Sequence, residues 1–188
     1  MDEADKMNTM VKKLLALNEL EFGTNQINFE RFDLVELMGN INASSDILLQ
    51  QNEVQLQFEF DKPLYVWADE FMIEEVYTNY LTNAIHYAPN GGKVAVTMEP
   101  KGKLVRINVF NEGNPIPEDE LSKIWIKFYK VDKARTREYG GSGIGLSIVA
   151  ATMKQHGREF GAYNTDNGVV FYFELEMAGQ NADNLESC

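Results

Sequence analysis

Residues 69–87 read DEFMIEEVYTNYLTNAIHY. Asp69 is a helix-capping residue type, and the apolar positions after it recur at helical spacing, so the stretch predicts a helix running to about Tyr87. Asn79, Asn83 and His86 stand four and three residues apart, which puts them on one stripe of that helix. Asparagine is a mediocre helix former because its amide competes for backbone groups. Two of them one turn apart invite a functional reason. An amide oxygen is a neutral, hard ligand suited to Mg²⁺ already held by phosphates, whereas two carboxylates would bind metal without nucleotide and repel phosphate. A polar outer face, or a pair of buried hydrogen-bonding amides, is the other reading.

Downstream, Val94, Val96 and Met98 alternate as a strand, Glu99 to Gly102 reads as a turn, and Val105, Ile107 and Val109 as the returning strand. The polar segment Asn111-Glu112-Gly113-Asn114-Pro115-Ile116 follows directly. It is either a plain loop or a place where Gly113 lets backbone approach a flat ligand. A helical stretch to about Tyr129 and a polar loop to Ser142 lead into Gly140-Gly141-Ser142-Gly143-Ile144-Gly145-Leu146, which opens a helix to about His156. Glycines before a helix N-terminus expose N–H groups to an anion; a flexible hinge is the alternative. No Lys-Ser or Lys-Thr follows, so it is not a P-loop. Strands at 160–164 and 169–175 flank the turn Asp166-Asn167-Gly168.

Upstream, Asp33 caps a helix to about Gln51, Val54 to Phe60 alternate as a strand, and Leu64 to Trp67 form a short one. Residues 2–22 predict a helix whose Met7, Met10, Leu14 and Leu17 form a seam for a partner helix, closed by a glycine cap at Phe22-Gly23-Thr24-Asn25. Strands arriving largely as hairpins with helices between them predict an α+β domain with a mixed sheet packed on helices over residues 25–177, preceded by a short segment, 1–24, and followed by a mobile tail, 178–188.

Composition bounds the function. The chain has 188 residues, one cysteine (Cys188) and a net charge of −12. A lone cysteine forms no internal disulfide. The acidic balance argues against nucleic acid, and no apolar run approaches the ~18 residues of a membrane span. A phosphate ligand needs a local exception to the acidic field, and Lys123, Lys127, Lys130, Lys133, Arg135 and Arg137 supply one in a short stretch, unless that stretch is only a solvated face.

In their order, these constellations resemble the sensor histidine kinases. NYLTNAIHYAPNGG is similar to their asparagine box, VFNEGNPIP to the first glycine box, IWIKFYKVDKARTRE to the aromatic box and GGSGIGLSIV to the second glycine box. The resemblance runs from about Phe29 to Met177 and implies a two-layer α/β sandwich of the Bergerat ATP-binding fold, shared with gyrase-type ATPases and the heat-shock-90 chaperones. It implies ATP and Mg²⁺ as ligands. Asn83 would coordinate the metal, Asn79 would support the phosphates, and Tyr87, with His86 beside it, would lie near the adenine or ribose. Asn111 would face the adenine amino group beside Gly113 and Ile116. Phe128 and Tyr129 would anchor a closing loop, with Lys130, Arg135 and Arg137 at the triphosphate. Gly141, Ser142, Gly143, Ile144, Gly145 and Leu146 would wrap it. The loop from Lys130 to Ser142 would close over ATP.

Residues 1–24 would be the end of the second helix of the dimerisation hairpin, and the chain would begin after the phosphoacceptor histidine, since neither His86 nor His156 has a His-Glu context. The implied activity is γ-phosphoryl transfer to a histidine elsewhere. The implied partners are the dimerisation domain of its own receptor and a response regulator, within a homodimeric, membrane-anchored bacterial parent whose cytoplasmic portion holds this domain.

Two departures weaken the expected ATP affinity. The family usually has aspartate at Asn111, and a neutral amide is a weaker partner. It usually has lysine or arginine at His86, where an imidazole gives up a full charge at pH 7. Alternatives are a degenerate nucleotide-binding or interaction module without kinase activity, a gyrase-type ATPase, which would need a glutamate base where Asn79 stands, and a serine kinase of the same fold, against which residues 2–22 argue.

Overall fold

The computed structural model describes residues 3–21, 26–131 and 142–179. Helix α1 (Glu3–Glu21) precedes β1 (Glu30–Asp33), α2 (Leu34–Ser44), α3 (Asp46–Gln51), β2 (Gln55–Gln57), β3 (Tyr65–Ala68), α4 (Glu70–Tyr87), β4 (Lys93–Lys101), β5 (Leu104–Glu112), α5 (Gly145–Gln155), β6 (Phe160–Thr165) and β7 (Gly168–Met177). The seven strands form one mixed sheet in the order β1-β3-β7-β5-β4-β2, with β6 also on β7. Among the described residues only the β2–β4 pairing is parallel.

Alternation along β4, β5 and β7 turns Val94, Val96, Val105, Ile107, Val109, Phe171 and Phe173 to one face, where they meet Ile73, Val76, Tyr77, Tyr80 and Leu81 of α4 and Val149 and Met153 of α5. The two buried tyrosines satisfy their hydroxyls: Tyr77 donates to Asn42 Oδ1 at 2.7 Å and Tyr80 to the Tyr172 carbonyl at 3.2 Å. On the opposite face Glu174 is buried between Lys101 Nζ and Arg106, each 2.7 Å away. Burial pushes its carboxyl up, but the hydrogen bonds and charges of Lys101 and Arg106 outweigh this and hold it below the usual range. Arg106 also lies over the Tyr172 ring, 4.0 Å from its centroid.

Several sequence expectations need correction. The helix expected from Asp33 to Gln51 is two, separated at Ser45, which donates its hydroxyl to the Ile41 carbonyl at 2.9 Å and stands between Ser44 and Asp46. The strand expected over Val54–Phe60 shrinks to an edge strand, while Phe58 and Phe60 pack edge to face and turn in against the core. The β4–β5 hairpin runs on to Lys101 opposite Leu104, with Gly102 at φ +64° in the turn. Residues 118–128 are successive turns rather than a helix. The seam on α1 is used within the chain: Leu17 is 0% exposed and, with Met10, Leu14 and Leu20, packs on α5, whereas Met7 is 68% exposed. The expected glycine cap at 22–25 lies outside the described residues, as does the tail from 180. Ala178, where the tail was expected to start, is buried and donates its N–H to the Tyr65 carbonyl at 2.8 Å.

Asp69 caps α4 through Met72 N–H at 3.1 Å and accepts Asn28 N–H at 2.9 Å on its other oxygen. Its own N–H donates to His156 Nε2 at 3.2 Å, while His156 Nδ1 lies 2.8 Å from the Thr152 carbonyl. These partners fix the tautomer: Nδ1 carries the proton and Nε2 is the acceptor. Burial lowers the imidazole pKa below its ordinary 6.5, outweighing the Thr152 bond and the Asp69 charge, which favour the cation; Arg158 adds to the lowering. The unfolded chain therefore takes up this proton first. The contribution is complete above about pH 6.5 and is lost as pH falls through the folded-state value. Urea unfolding at pH 7.5 and 5.5 should show a larger loss of stability on acidification for wild type than for His156→Ala; equal losses would refute the assignment.

Candidate functional site

Helices α4 and α5 run antiparallel along each other. One end of the contact is the Asp69–His156 bond; the other is Asn79 against Gly145. Helix α4 has 18 residues and α5 has 11, so the C-terminal half of α4 extends past the start of α5. A cavity of about 410 Å³ opens there. Its walls are a stripe of α4 (Glu75, Thr78 and Asn79, then Thr82, Asn83, His86 and Tyr87 on the overhang), the end of β5 at Asn111, the stretches 114–116 and 129–131, and the entry to α5. Val169, Phe171 and Ile124 give it an apolar lining.

Asn79 is committed within the protein. Its Nδ2 donates to the Glu75 carbonyl at 2.7 Å, and its Oδ1 lies 2.4 Å from where a Cβ on Gly145 would be. Only glycine admits this approach. Gly143 has a different reason: φ is +71°, and a Cβ would come within 3.0 Å of the Phe128 Cα. Phe128, itself at φ +65°, donates its N–H to the Gly143 carbonyl at 2.8 Å. These contacts hold the entry to α5, whose N-terminus has no side-chain cap. Uncapped first-turn N–H groups and the helix dipole favour an anion. Asn83 and His86 are half-buried on the wall beside them. Asn111 is 3% exposed and its Nδ2 donates to the Glu112 carbonyl at 3.0 Å, which leaves Oδ1 as the acceptor of its amide.

Of the residues singled out from sequence, Asn79, Asn83, His86, Tyr87, Asn111, Ile116, Tyr129, Lys130, Ser142, Gly143, Gly145 and Leu146 line this cavity. Three others do not. Gly113 packs against the end of α4, its Cβ position 3.0 Å from the Tyr87 carbonyl. The Phe128 side chain is 50% exposed, and Ile144 is 0% exposed in the cluster with Leu17 and Leu20. Arg135, Arg137 and Gly141 lie outside the described residues. Sequence reasoning missed Glu75, the one carboxylate among the described lining residues, although it stands one turn before Asn79 on the same stripe. It also missed Asn164, whose Oδ1 accepts Ile116 N–H at 2.9 Å and whose Nδ2 donates to the Ile116 carbonyl at 2.7 Å. Nothing local in the sequence announces that clamp.

A family model described as histidine kinase-, DNA gyrase B-, and HSP90-like ATPase matches residues 68–179. Sensor histidine kinase WalK of Bacillus subtilis (strain 168) is 31% identical over 188 residues, covering 98% of this chain and 31% of that protein. Sensor protein VanSB of Enterococcus faecalis is 29% identical over 171 residues, covering 91% of this chain and 38% of that protein. The chain thus spans about a third of the length of these relatives. Among solved structures, the nucleotide-free catalytic domain of histidine kinase ThkA superposes with a TM-score of 0.71 at 32% identity, covering 79% of this chain and 95% of that one. ThkA in complex with response regulator protein TrrA gives 0.72 at 29% identity, covering 94% and 48%.

The fit of Asn79 to Gly145 is open to a double-mutant cycle. Gly145→Ala should cost about 1–3 kcal/mol through overpacking, and much of that cost should vanish in the Asn79→Ala background. Additive losses in urea unfolding would show that the two residues do not touch.

Proposed function

We infer the function from one premise: the chain belongs to the histidine kinase-, DNA gyrase B- and HSP90-like ATPase family and has the mixed-sheet fold of a histidine kinase catalytic domain. The family implies ATP binding. The reading that follows is the ATP-binding catalytic domain of a two-component sensor histidine kinase, which transfers the γ-phosphoryl group of ATP to a histidine on a dimerisation helix. The observation that carries it is the cavity where the amide-bearing wall of α4 faces the uncapped N-terminus of α5.

The lining residues fit the nucleotide. A volume of about 410 Å³ is within the range of small-molecule sites. Asn111 Oδ1 is the proposed acceptor of the adenine amino group, with Ile116, Ile124, Val169 and Phe171 as apolar surface for the ring. Asn83 is the proposed Mg²⁺ ligand. Lys130 and the first-turn N–H groups of α5 would meet the phosphates, with His86 beside them and Tyr87 near the adenine or ribose. ATP supplies the phosphoryl group and Mg²⁺ neutralises its charge; the chain's contribution is to bind, orient and exclude water. A water-activating base does not come from Asn79, whose amide takes up no proton and is already bonded. The proposed partners are an acceptor-histidine helix and a response regulator, and the proposed setting is the cytoplasmic portion of a bacterial receptor. No described helix is long and apolar enough to cross a membrane.

Calorimetry with Mg²⁺ and a non-hydrolysable ATP analogue should show one saturable site. Asn83→Ala should weaken it about tenfold, the equivalent of about 1.4 kcal/mol, and His86→Lys should tighten it. No binding by wild type would sink the nucleotide reading; no gain with lysine would sink the charge argument. Radiolabelled ATP should phosphorylate a separately supplied acceptor-helix hairpin on histidine only when this chain is present, and phosphate release by the chain alone should stay near background. Persistent hydrolysis that Glu75→Gln removes would favour the ATPase instead.

A further inference from the structure

We propose that α1 is a positioning element for the nucleotide site, so that docking of α1 on α5 and nucleotide binding strengthen each other. The proposal rests on the nucleotide reading above. Its starting point is Ile144, the one large side chain between Gly143 and Gly145. Two glycines leave that backbone little intrinsic restraint, and the isoleucine does not face the cavity that both its neighbours line. It is fully buried against α1, in a cluster with Leu17, Leu20 and Ile148, flanked by Met10, Leu14, Met72 and Ala151. An apolar anchor supplied by α1 therefore fixes the first turn of α5, where no side-chain cap does so.

A second tie reaches the other part of the site. Lys127 Nζ lies 2.5 Å from Glu21 Oε2 in the last turn of α1. Lys127 immediately precedes Phe128, which is bonded to the Gly143 carbonyl, and then Tyr129, Lys130 and Val131, which line the cavity. A third tie closes the end of α1: Gln155 Nε2 donates to the Leu20 carbonyl at 2.5 Å, one of the last carbonyls, which have no partner within the helix. One helix thus holds both cavity-lining stretches, 129–131 and 142–146, in register without touching the cavity. A site held in its bound arrangement binds more tightly because less ordering remains to be done. Linkage makes the effect reciprocal: nucleotide must favour docked α1 by the same factor.

The test measures affinity for a fluorescent adenosine diphosphate with Mg²⁺ in the full chain, for wild type, Leu17→Ala, Glu21→Lys and the swap Glu21→Lys with Lys127→Glu. Leu17→Ala should weaken binding about tenfold, within the usual range of coupling between sites. Glu21→Lys should weaken it about threefold, as for a partly exposed ion pair, and the swap should recover most of that loss. Hydrogen exchange supplies the reciprocal readout: saturating nucleotide should slow the amides of residues 10–20 in wild type and not in Leu17→Ala, with β4–β5 protection equal in all four proteins as the control for folding. If Leu17→Ala unfolds, the charge pair and its swap decide. Wild-type binding that neither Leu17→Ala nor Glu21→Lys alters, or α1 exchange indifferent to nucleotide, overturns the coupling alone. A wild type that binds no nucleotide overturns the nucleotide reading and the coupling with it.

Discussion

The distance between α4 and α5 is set by an amide oxygen meeting a bare α-carbon. Asn79 leans back on the Glu75 carbonyl and presents Oδ1 to Gly145, and ten residues earlier the Asp69 N–H reaches His156 at the far end of α5. With both ends tied, the helices behave as one unit, and the mismatch in their lengths becomes architecture. The polar stripe on the part of α4 that outlasts α5 becomes the wall of a cavity, and the start of α5, whose N-cap makes no side-chain cap bond, lines the same space. A bulkier residue at 145 would have to displace the Asn79 amide.

The pattern of polar residues carried much of this. The amide stripe was readable because a helix repeats every three to four residues, and the hairpins were readable because Val94 to Met98 and Val105 to Val109 alternate. What could not be read depends on contacts distant in sequence. Nothing around residue 55 says that β2 will pair parallel with β4, and the asparagine that clamps Ile116 is 48 residues away. In the glycine run every residue looked as though it faced a ligand. The structure divides them: Gly143 and Gly145 are there for close approach, and Ile144 turns the other way into a small second core. The methionine and leucine seam of α1 was visible, but its partner was not, because an apolar stripe states that it will be covered and not by what.

Charge is organised locally against an acidic whole. Lys101 and Arg106 surround Glu174, Arg158 pairs with Glu176, and Lys127 with Glu21. These cations are matched by carboxylates on the sheet's outer face or at the root of α1. Lys130 lines the cavity, where Glu75 is the one carboxylate among the described lining residues. Apart from Glu75, His86 and Lys130, the polar part of the lining is amide and hydroxyl in character, a chemistry that accepts a charged guest together with its counterion better than it accepts a bare cation.

The sheet's central strand is also the last in chain order. β7 joins β5 along one side and both β3 and β6 along the other, so among the described strands the pairing of β1 and β3 to β4 and β5 runs through β7. During synthesis on the ribosome, the earlier strands must wait as separate pieces: the β4–β5 hairpin with β2 on β4 and the β5 edge open, and the short β1–β3 pair. Such a nascent chain exposes unpaired backbone and apolar faces for as long as translation takes to deliver residues 168–177, a window in which holdase chaperones would be its natural company.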